Sequence, residues 1–368
     1  MESTFKVDSI SICKNIMPEH THNQHQQYLD EGLSIARVIA EHKGRYTIAL
    51  NDAELSAEIT GKMMFEAVTR KDYPAVGDWV AVQAFDADSP SIIHHILPRT
   101  TVLSRKTSGK EMEEQIIAVN MDIVFIVQGL DKNFNLRRLE RFLVIASQSG
   151  ATPVILLSKS DLVPEEELTQ ILADVRDIAK KAAVLSYSAK TQAHLDEVRR
   201  LIKDDSTVCF LGPSGAGKST LINRLIGREK LFTQEVREED SRGKHTTTHR
   251  ELIRLAGGGS VIDTPGLREI GLWEVDNSID STFTDIIDLG LTCKFTDCTH
   301  THEPGCAVRA AIEAGSLEEG RYASFVKLQK EADFIASKTD ITKQQERKAR
   351  EKKMGKAIKE ILKQKRKR

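Results

Sequence analysis

Gly212-Pro213-Ser214-Gly215-Ala216-Gly217-Lys218-Ser219-Thr220 follows the apolar run Val208-Cys209-Phe210-Leu211 and leads into Leu221-Ile222-Asn223-Arg224-Leu225. Glycines at this spacing let successive backbone N–H groups face one anion, Lys218 can reach the β/γ-phosphates, and the Ser219 hydroxyl can ligate Mg²⁺. The chemistry on offer is binding of a nucleoside triphosphate. The flanks predict strand, phosphate loop, helix. The loop does not choose the base, and it would also serve a transporter-type ATPase.

The base is read elsewhere. Val154-Ile155-Leu156-Leu157 runs into Ser158-Lys159-Ser160-Asp161, a near match to the guanine-reading Asn-Lys-x-Asp of GTPases, with Ser158 where Asn is usual. An ionised Asp161 is an acceptor only, so it can take both the N1–H and the 2-amino group of guanine, whereas adenine offers neither donor there. Lys159 would lie along the base. Ser158 shortens the arm and weakens one contact. Ser188-Ala189-Lys190, after the strand-like Ala183 to Tyr187, matches the loop that backs the guanine.

Val261-Ile262-Asp263-Thr264-Pro265-Gly266 reads as a strand ending in Asp-x-x-Gly. Asp263 would hold a metal-bound water and the Gly266 N–H would sense the γ-phosphate. Arg242-Gly243-Lys244-His245-Thr246-Thr247-Thr248 reads as switch I, with one threonine available to the metal. Leu267 stands where many GTPases carry a glutamine that orients the attacking water, so slow intrinsic turnover is expected and another group must assist. The motifs come in an unusual order. The base motif and Ser-Ala-Lys precede the phosphate loop, so the core is circularly permuted, which a compact domain tolerates because its termini are superficial.

Cys293-x₄-Cys298-x-His300-x₅-Cys306 supplies three thiolates and an imidazole, the inventory of a closed structural zinc site, with His302 as a competing imidazole. Four ligands so close in sequence can fix a small domain with little core of its own. Cys13 and Cys209 lie far from this cluster, and Cys209 reads as strand core. A disulfide framework does not fit.

On the permuted loop order, Arg-Gly-x-His-Thr-Thr-Thr and the Cys/His cluster, the chain resembles the RsgA (YjeQ) family of small-ribosomal-subunit-dependent GTPases over roughly Leu33 to Lys330. The resemblance implies an N-terminal OB-fold, a permuted GTPase domain and a C-terminal zinc domain. It also implies GTP hydrolysis to GDP stimulated by the small ribosomal subunit late in that subunit's maturation. It suggests His245 as the catalytic residue that replaces the missing glutamine, and it favours His300 over His302 as the zinc ligand. A basic tail as strong as this one is more than the resemblance requires.

The elements that position these residues are legible in outline. At 368 residues the chain can hold two or three domains, and its 40% apolar and 29% charged fractions suit a soluble globular protein. No apolar run nears the roughly 20 residues of a membrane span. A cytoplasmic address and no membrane partner are expected. From Leu33 to about Arg105, strands are predicted at Ser34 to Ile39, Arg45 to Leu50, Leu55 to Ile59, Trp79 to Gln83 and Ser91 to Leu97, which suits an OB-like or other small barrel. Strands then alternate with helices at Leu136 to Ser149, Glu165 to Lys180 and Ala193 to Lys203, predicting a doubly wound sheet with ligand loops at the strands' carboxyl ends. Arg309 to Lys330 has helical spacing.

The expected fold class is therefore multidomain α/β. Its parts are a disordered leader at 1–32, an OB-fold at 33–105, the permuted GTPase at 106–275, a helical zinc domain at 276–336 and a basic tail at 337–368. Lys343 to Arg368 holds 13 lysines and arginines against 3 glutamates, although the whole chain has a net charge of −1. That end suits contact with rRNA phosphates. The expected partners are GTP or GDP, Mg²⁺, one structural zinc ion and the small subunit with its rRNA, the protein acting as a monomer. Two other functions use the same motifs: a zinc-stabilised RNA-binding protein with nucleotide as a structural ligand, and a transporter-type ATPase. The second lacks a Leu-Ser-Gly-Gly-Gln-type signature.

Overall fold

The structure, a computed structural model, describes residues 22–42, 44–51, 53–67, 69–85, 89–106, 114–180, 182–227, 250–263 and 278–339. The chain divides into two compact units, Met1–Gly271 and Leu272–Arg368.

The first unit opens with α1 (His22–Asp30), inside the stretch expected to be a disordered leader. Its helix is held from one end of the sequence pattern: Tyr28 packs with Leu33 and Ile35 on Trp79, Ala81 and Leu97, and stacks on His95 with ring centroids 5.0 Å apart. A polar composition hid this single apolar anchor. Strands β1 (Ser34–His42), β2 (Arg45–Leu50), β3 (Ala53–Ile59), β4 (Trp79–Gln83) and β5 (Ser91–Ile96) follow. The order β1-β2-β3-β5-β4, closed by pairing of β4 back onto β1, makes a five-stranded OB-like barrel. Alternating residues, among them Val38, Ile48, Val80 and Ile93, fill it.

A two-stranded hairpin, β6 (Val102–Lys106) with β7 (Glu114–Val119), links the barrel to the nucleotide-motif core, and the boundary expected at 105/106 falls inside it. The core then runs β8 (Ile123–Gly129), α3 (Leu136–Gln148), β9 (Thr152–Ser158), α4 (Glu165–Ala179), β10 (Ala183–Ser186), α5 (Leu195–Arg200), β11 (Thr207–Leu211), α6 (Lys218–Ile226), β12 (Arg250–Arg254) and β13 (Ser260–Asp263). Strands β10, β9, β8, β11 and β13 are parallel neighbours. Strands β8, β9 and β11 are near-continuous buried apolar runs, as expected of strands covered on both faces, whereas the edge strand β10 is only partly buried. Phe125, Leu156, Phe210, Leu221 and Val261 pack together at their centre.

Strand β12 was not legible in the sequence, because Arg250-Glu251-Leu252-Ile253-Arg254 is short and charged at both ends. It runs antiparallel to β13 on one side and to β1 on the other, where Ala40 faces Glu251 and Glu41 faces Arg250. Barrel and core thus share one eleven-stranded sheet. Arg37 of β1 reinforces the junction: its buried guanidinium donates to the Asn120 carbonyl at 3.2 Å and the Thr207 hydroxyl at 2.8 Å, and lies over Trp79.

The second unit is helical, with helices at Ser278–Thr282, Thr284–Leu291, Ala307–Glu313 and Glu319–Thr339. The stretch of helical spacing from Arg309 to Lys330 falls in two helices, parted at Gly315, whose φ of 73° the helix cannot accommodate. Phe283 and Phe325 meet at 5.5 Å, and Arg321 lies over Phe283 while binding Asp285 through two hydrogen bonds of 2.7 and 2.8 Å.

Candidate functional site

The phosphate loop begins directly beyond β11 and Ser188 two residues beyond the end of β10, while Ser158 and Asp263 are themselves the last residues of β9 and β13. That edge is where an open α/β sheet binds ligands.

The phosphate loop leaves β11, all five of whose residues are buried. Gly212 has φ 145°, and a Cβ there would stand 2.1 Å from the Val127 carbonyl oxygen of β8, so only glycine lets the loop pass. Gly217, at φ 89°, turns the chain into α6, whose first three residues are Lys218, Ser219 and Thr220. The Lys218 ammonium donates to the carbonyls of Gly212 at 2.6 Å and Pro213 at 2.7 Å, which keeps the cation within the loop. The open N–H groups and positive end of a nine-residue helix point the same way electrostatically. Pro213, Ser214, Gly215 and Ala216 complete the curve, Ala216 being buried.

The base motif is tied to this loop. Ser158, the last residue of β9 and 3% exposed, donates its hydroxyl to the Ala216 carbonyl at 2.6 Å. The shorter side chain in the usual Asn position therefore still spans to the phosphate loop. Lys159 adopts a left-handed φ of 62° that turns the chain out of the strand, and its ammonium pairs with Asp131 at 2.6 Å. Partial burial would raise the Asp131 pKa, but the hydrogen bond from Lys159 and the amide of Asn133 hold it below the ordinary carboxylate range. Ser160 donates its amide to the Tyr187 carbonyl at 3.2 Å, and Asp161 accepts the Ser188 hydroxyl at 2.5 Å. Ser188 in turn accepts the Thr191 amide at 3.1 Å, closing the turn that carries Ala189 and Lys190. Ser158-Lys159-Ser160-Asp161 and Ser188-Ala189-Lys190 are thus one connected piece, with Tyr187 fully buried beneath them. Asp263 is partly buried. His245 and the rest of Arg242 to Thr248, together with Gly266 and Leu267, lie outside the described residues, as does the basic tail from Lys343.

In the second unit Cys293, Cys298, His300 and Cys306 offer ligand atoms that all lie within 4.8 Å of one another. His300 Nδ1 is 3.5 Å from the Cys293 sulfur and 3.4 Å from that of Cys306. Backbone amides aim at two of the sulfurs: Ala307 at Cys293 (3.3 Å) and Arg309 at Cys306 (3.5 Å). The Ala307 amide favours thiolate over thiol at Cys293, and three thiolates with one imidazole fit a tetrahedral zinc ion. His302 is not in the group. Its amide, with those of Thr299 and Thr301, donates to Glu303, whose pKa falls to about 2, first through the Thr299 hydroxyl and then through the amides. By contrast Cys209 sits wholly buried in β11, where burial pushes its thiol up to about 12, as befits an inert core residue.

Sequence reasoning missed Asp131 and Glu303. Asp131 could have been found as an acid just beyond the carboxyl end of an apolar strand in a doubly wound sheet, where ligand loops gather. Glu303 carries no comparable signal, because its role depends on the turn from Thr299 to Glu303 that only the fold reveals.

Comparison with known proteins agrees with this geometry. A family model described as RsgA GTPase matches residues 96–273, and one described as 50S ribosome-binding GTPase matches residues 207–367. The small ribosomal subunit biogenesis GTPase RsgA of Opitutus terrae is 44% identical, over 86% of this chain and 88% of its own. RsgA 1 of Oceanobacillus iheyensis is 45% identical over 83% and 86%. Among solved structures, YjeQ from Thermotoga maritima superposes with a TM-score of 0.60 at 25% identity, covering 82% of this chain and 98% of that one. YloQ, described as a circularly permuted GTPase, gives 0.57 at 27% identity over 82% and 95%. Relatives this similar over nearly their whole length, on a sheet that carries the nucleotide motifs in permuted order, place the chain in the RsgA family of circularly permuted GTPases.

Proposed function

We propose that this protein binds GTP across the loops of β9, β10, β11 and β13, hydrolyses it to GDP and phosphate when seated on the small ribosomal subunit during late maturation, and leaves as the nucleotide state changes. The observation that carries the reading is the Ser158–Ala216 hydrogen bond, since it sets a guanine-reading turn directly against a phosphate loop. Names of the relatives supply the subunit, and we extend it to this chain.

In this reading Asp161 selects guanine, Lys159 flanks the base, and Ser188, Ala189 and Lys190 back it. Gly212 to Thr220 wrap the phosphates and Lys218 contacts the terminal pair. Ser219 would ligate Mg²⁺ and Asp263 would hold a water bound to it; the ion when bound would neutralise charge on the phosphates. Gly266 senses the γ-phosphate. His245 takes the part left open by Leu267 and positions the attacking water. One zinc ion held by Cys293, Cys298, His300 and Cys306 is structural, because all four ligand positions are protein atoms. Residues 33–105 and the tail at 337–368 face rRNA, with 106–275 as the GTPase and 276–336 as the zinc domain. Asp263 precedes the second unit by a short stretch of chain, which would let loss of the γ-phosphate be felt there. No helix among the described residues is long and apolar enough to cross a membrane. A cytoplasmic monomer satisfies the whole scheme.

Turnover of GTP with and without purified small subunits tests it. Stimulation of roughly 1,000-fold or more is expected, within the span that trans-acting groups give other GTPases. His245→Ala should remove the stimulation while leaving GDP affinity intact. A rate indifferent to subunits would refute the proposal.

A further inference from the structure

Where barrel and GTPase core meet, a cavity of about 360 Å³ opens among Glu41, Tyr46, Arg70, Tyr73, Ile116 and Arg250. None of these residues belongs to the nucleotide motifs. The volume lies in the range of small-molecule sites. Its floor is rigid: Arg250 begins β12, which is paired on both sides, to β1 and to β13. One guanidinium N–H of Arg250 is spent on the Ile116 carbonyl at 2.9 Å.

The charges around this cavity do not balance. Arg250 feels the like charges of Arg105 and Arg70 and the opposite charge of Glu41, its cross-strand neighbour. Arg105 is engaged through Nε with the Gln115 side chain at 3.0 Å, a neutral partner. Arg70 makes no side-chain hydrogen bond or ion pair among the described residues, and it is exposed on the rim. Two guanidinium groups, those of Arg250 and Arg70, therefore line the cavity beside the one carboxylate of Glu41. Burial acts first in lowering the Arg250 pKa, so this excess positive charge is partly withdrawn from water. An anion with a planar array of acceptor oxygens is the natural complement of such a group. The cavity is larger than a phosphate needs, and the half-buried Tyr73 on its wall offers a surface on which a flat ring can stack, whereas Tyr46 is buried in the barrel core.

We infer that this cavity is a second nucleotide site, distinct from the GTP site, which takes one phosphate-bearing base either as a free mononucleotide or as a single residue of an RNA strand. Arg250 and Arg70 bind the phosphate, and Tyr73 holds the base without selecting it. Glu41 limits affinity, so its removal tightens binding.

The test uses the full chain saturated with Mg²⁺ and GDP, so that the GTP site is filled. GDP affinity is measured first, which separates a failure of the GTPase reading from a failure of this one. Adenosine monophosphate and a short oligoadenylate RNA are then titrated into the wild type, Arg70→Gln, Arg250→Gln and Glu41→Gln. Arg70→Gln, on the exposed rim, should weaken binding roughly tenfold, the worth of one charge-assisted contact. Arg250→Gln should weaken it at least as much, and Glu41→Gln should strengthen it several-fold. Comparable affinity for both probes marks a free-nucleotide site, whereas binding of the oligonucleotide alone marks an RNA residue. Binding of neither probe, or binding that Arg70→Gln and Arg250→Gln leave unchanged, overturns the inference.

Discussion

The two sites of this protein are built by opposite means. The nucleotide loops stand on a parallel sheet whose own strands are sealed in an apolar core, with Phe125, Leu156 and Phe210 among residues almost wholly removed from water. The Cys/His cluster sits in a loop between short helices, beside a modest core around Phe283 and Phe325. Glycines and hydrogen bonds already fix the first site, through Gly212 against Val127 and Ser158 against Ala216. The second gathers three sulfurs and an imidazole within 4.8 Å, an arrangement that like-charged thiolates resist unless a cation joins them. One scaffold shapes its ligand site; the other would be shaped by the metal its residues fit.

That contrast yields graded expectations. Zinc removal by a chelator, or Cys306→Ser, should unfold the helices of the second unit, since a structural zinc ion contributes on the order of 10 kcal/mol. Hydrogen exchange would show protection lost there and kept across β8, β9 and β11, with GDP affinity unchanged. Loss of GDP binding as well would show that the first scaffold is not self-sufficient. Gly212→Ala should cost about 3 kcal/mol, since it adds a methyl where backbone oxygen already stands and forces a strained φ. Denaturant titration and a GDP affinity roughly 100-fold weaker would register it, with the zinc unit undisturbed. Ser158→Ala removes one buried hydroxyl donor from the Ala216 carbonyl and should cost about 1–2 kcal/mol, seen as nucleotide affinity weakened roughly tenfold. An unchanged affinity would mean that the tether between the two loops is incidental.

The same contrast explains what could be read from the sequence. Each nucleotide motif follows an apolar strand, and the spacing rules of phosphate chemistry and parallel sheets act over a few consecutive residues. Gly212 to Thr220 and Ser158 to Asp161 were therefore legible, and so were the five barrel strands with their alternating pattern. What escaped reading depends on partners distant in the chain. Strand β12 is short and charged at both ends, and its second edge pairs with β1 some two hundred residues away, a separation no local pattern records. Helix α1 is held by Tyr28 against the barrel, and Asp131 acquires its role only by meeting Lys159. In the zinc loop the choice between His300 and His302 turned on backbone geometry: His300 takes a φ of 59° and faces the sulfurs, while His302 joins the turn around Glu303.

The central claim is that Asp161, held by Ser188 at the carboxyl edge of the sheet, chooses the purine. Asp161→Asn exchanges an acceptor pair for an acceptor and a donor, which no longer matches the 2-amino group of guanine but does match the 2-oxo group of xanthine. Competition of GTP with xanthosine triphosphate for the variant should show GTP weakened roughly 100-fold and the preference reversed. A variant that still prefers GTP by the wild-type margin would contradict the account, and would place the base pocket elsewhere on the chain.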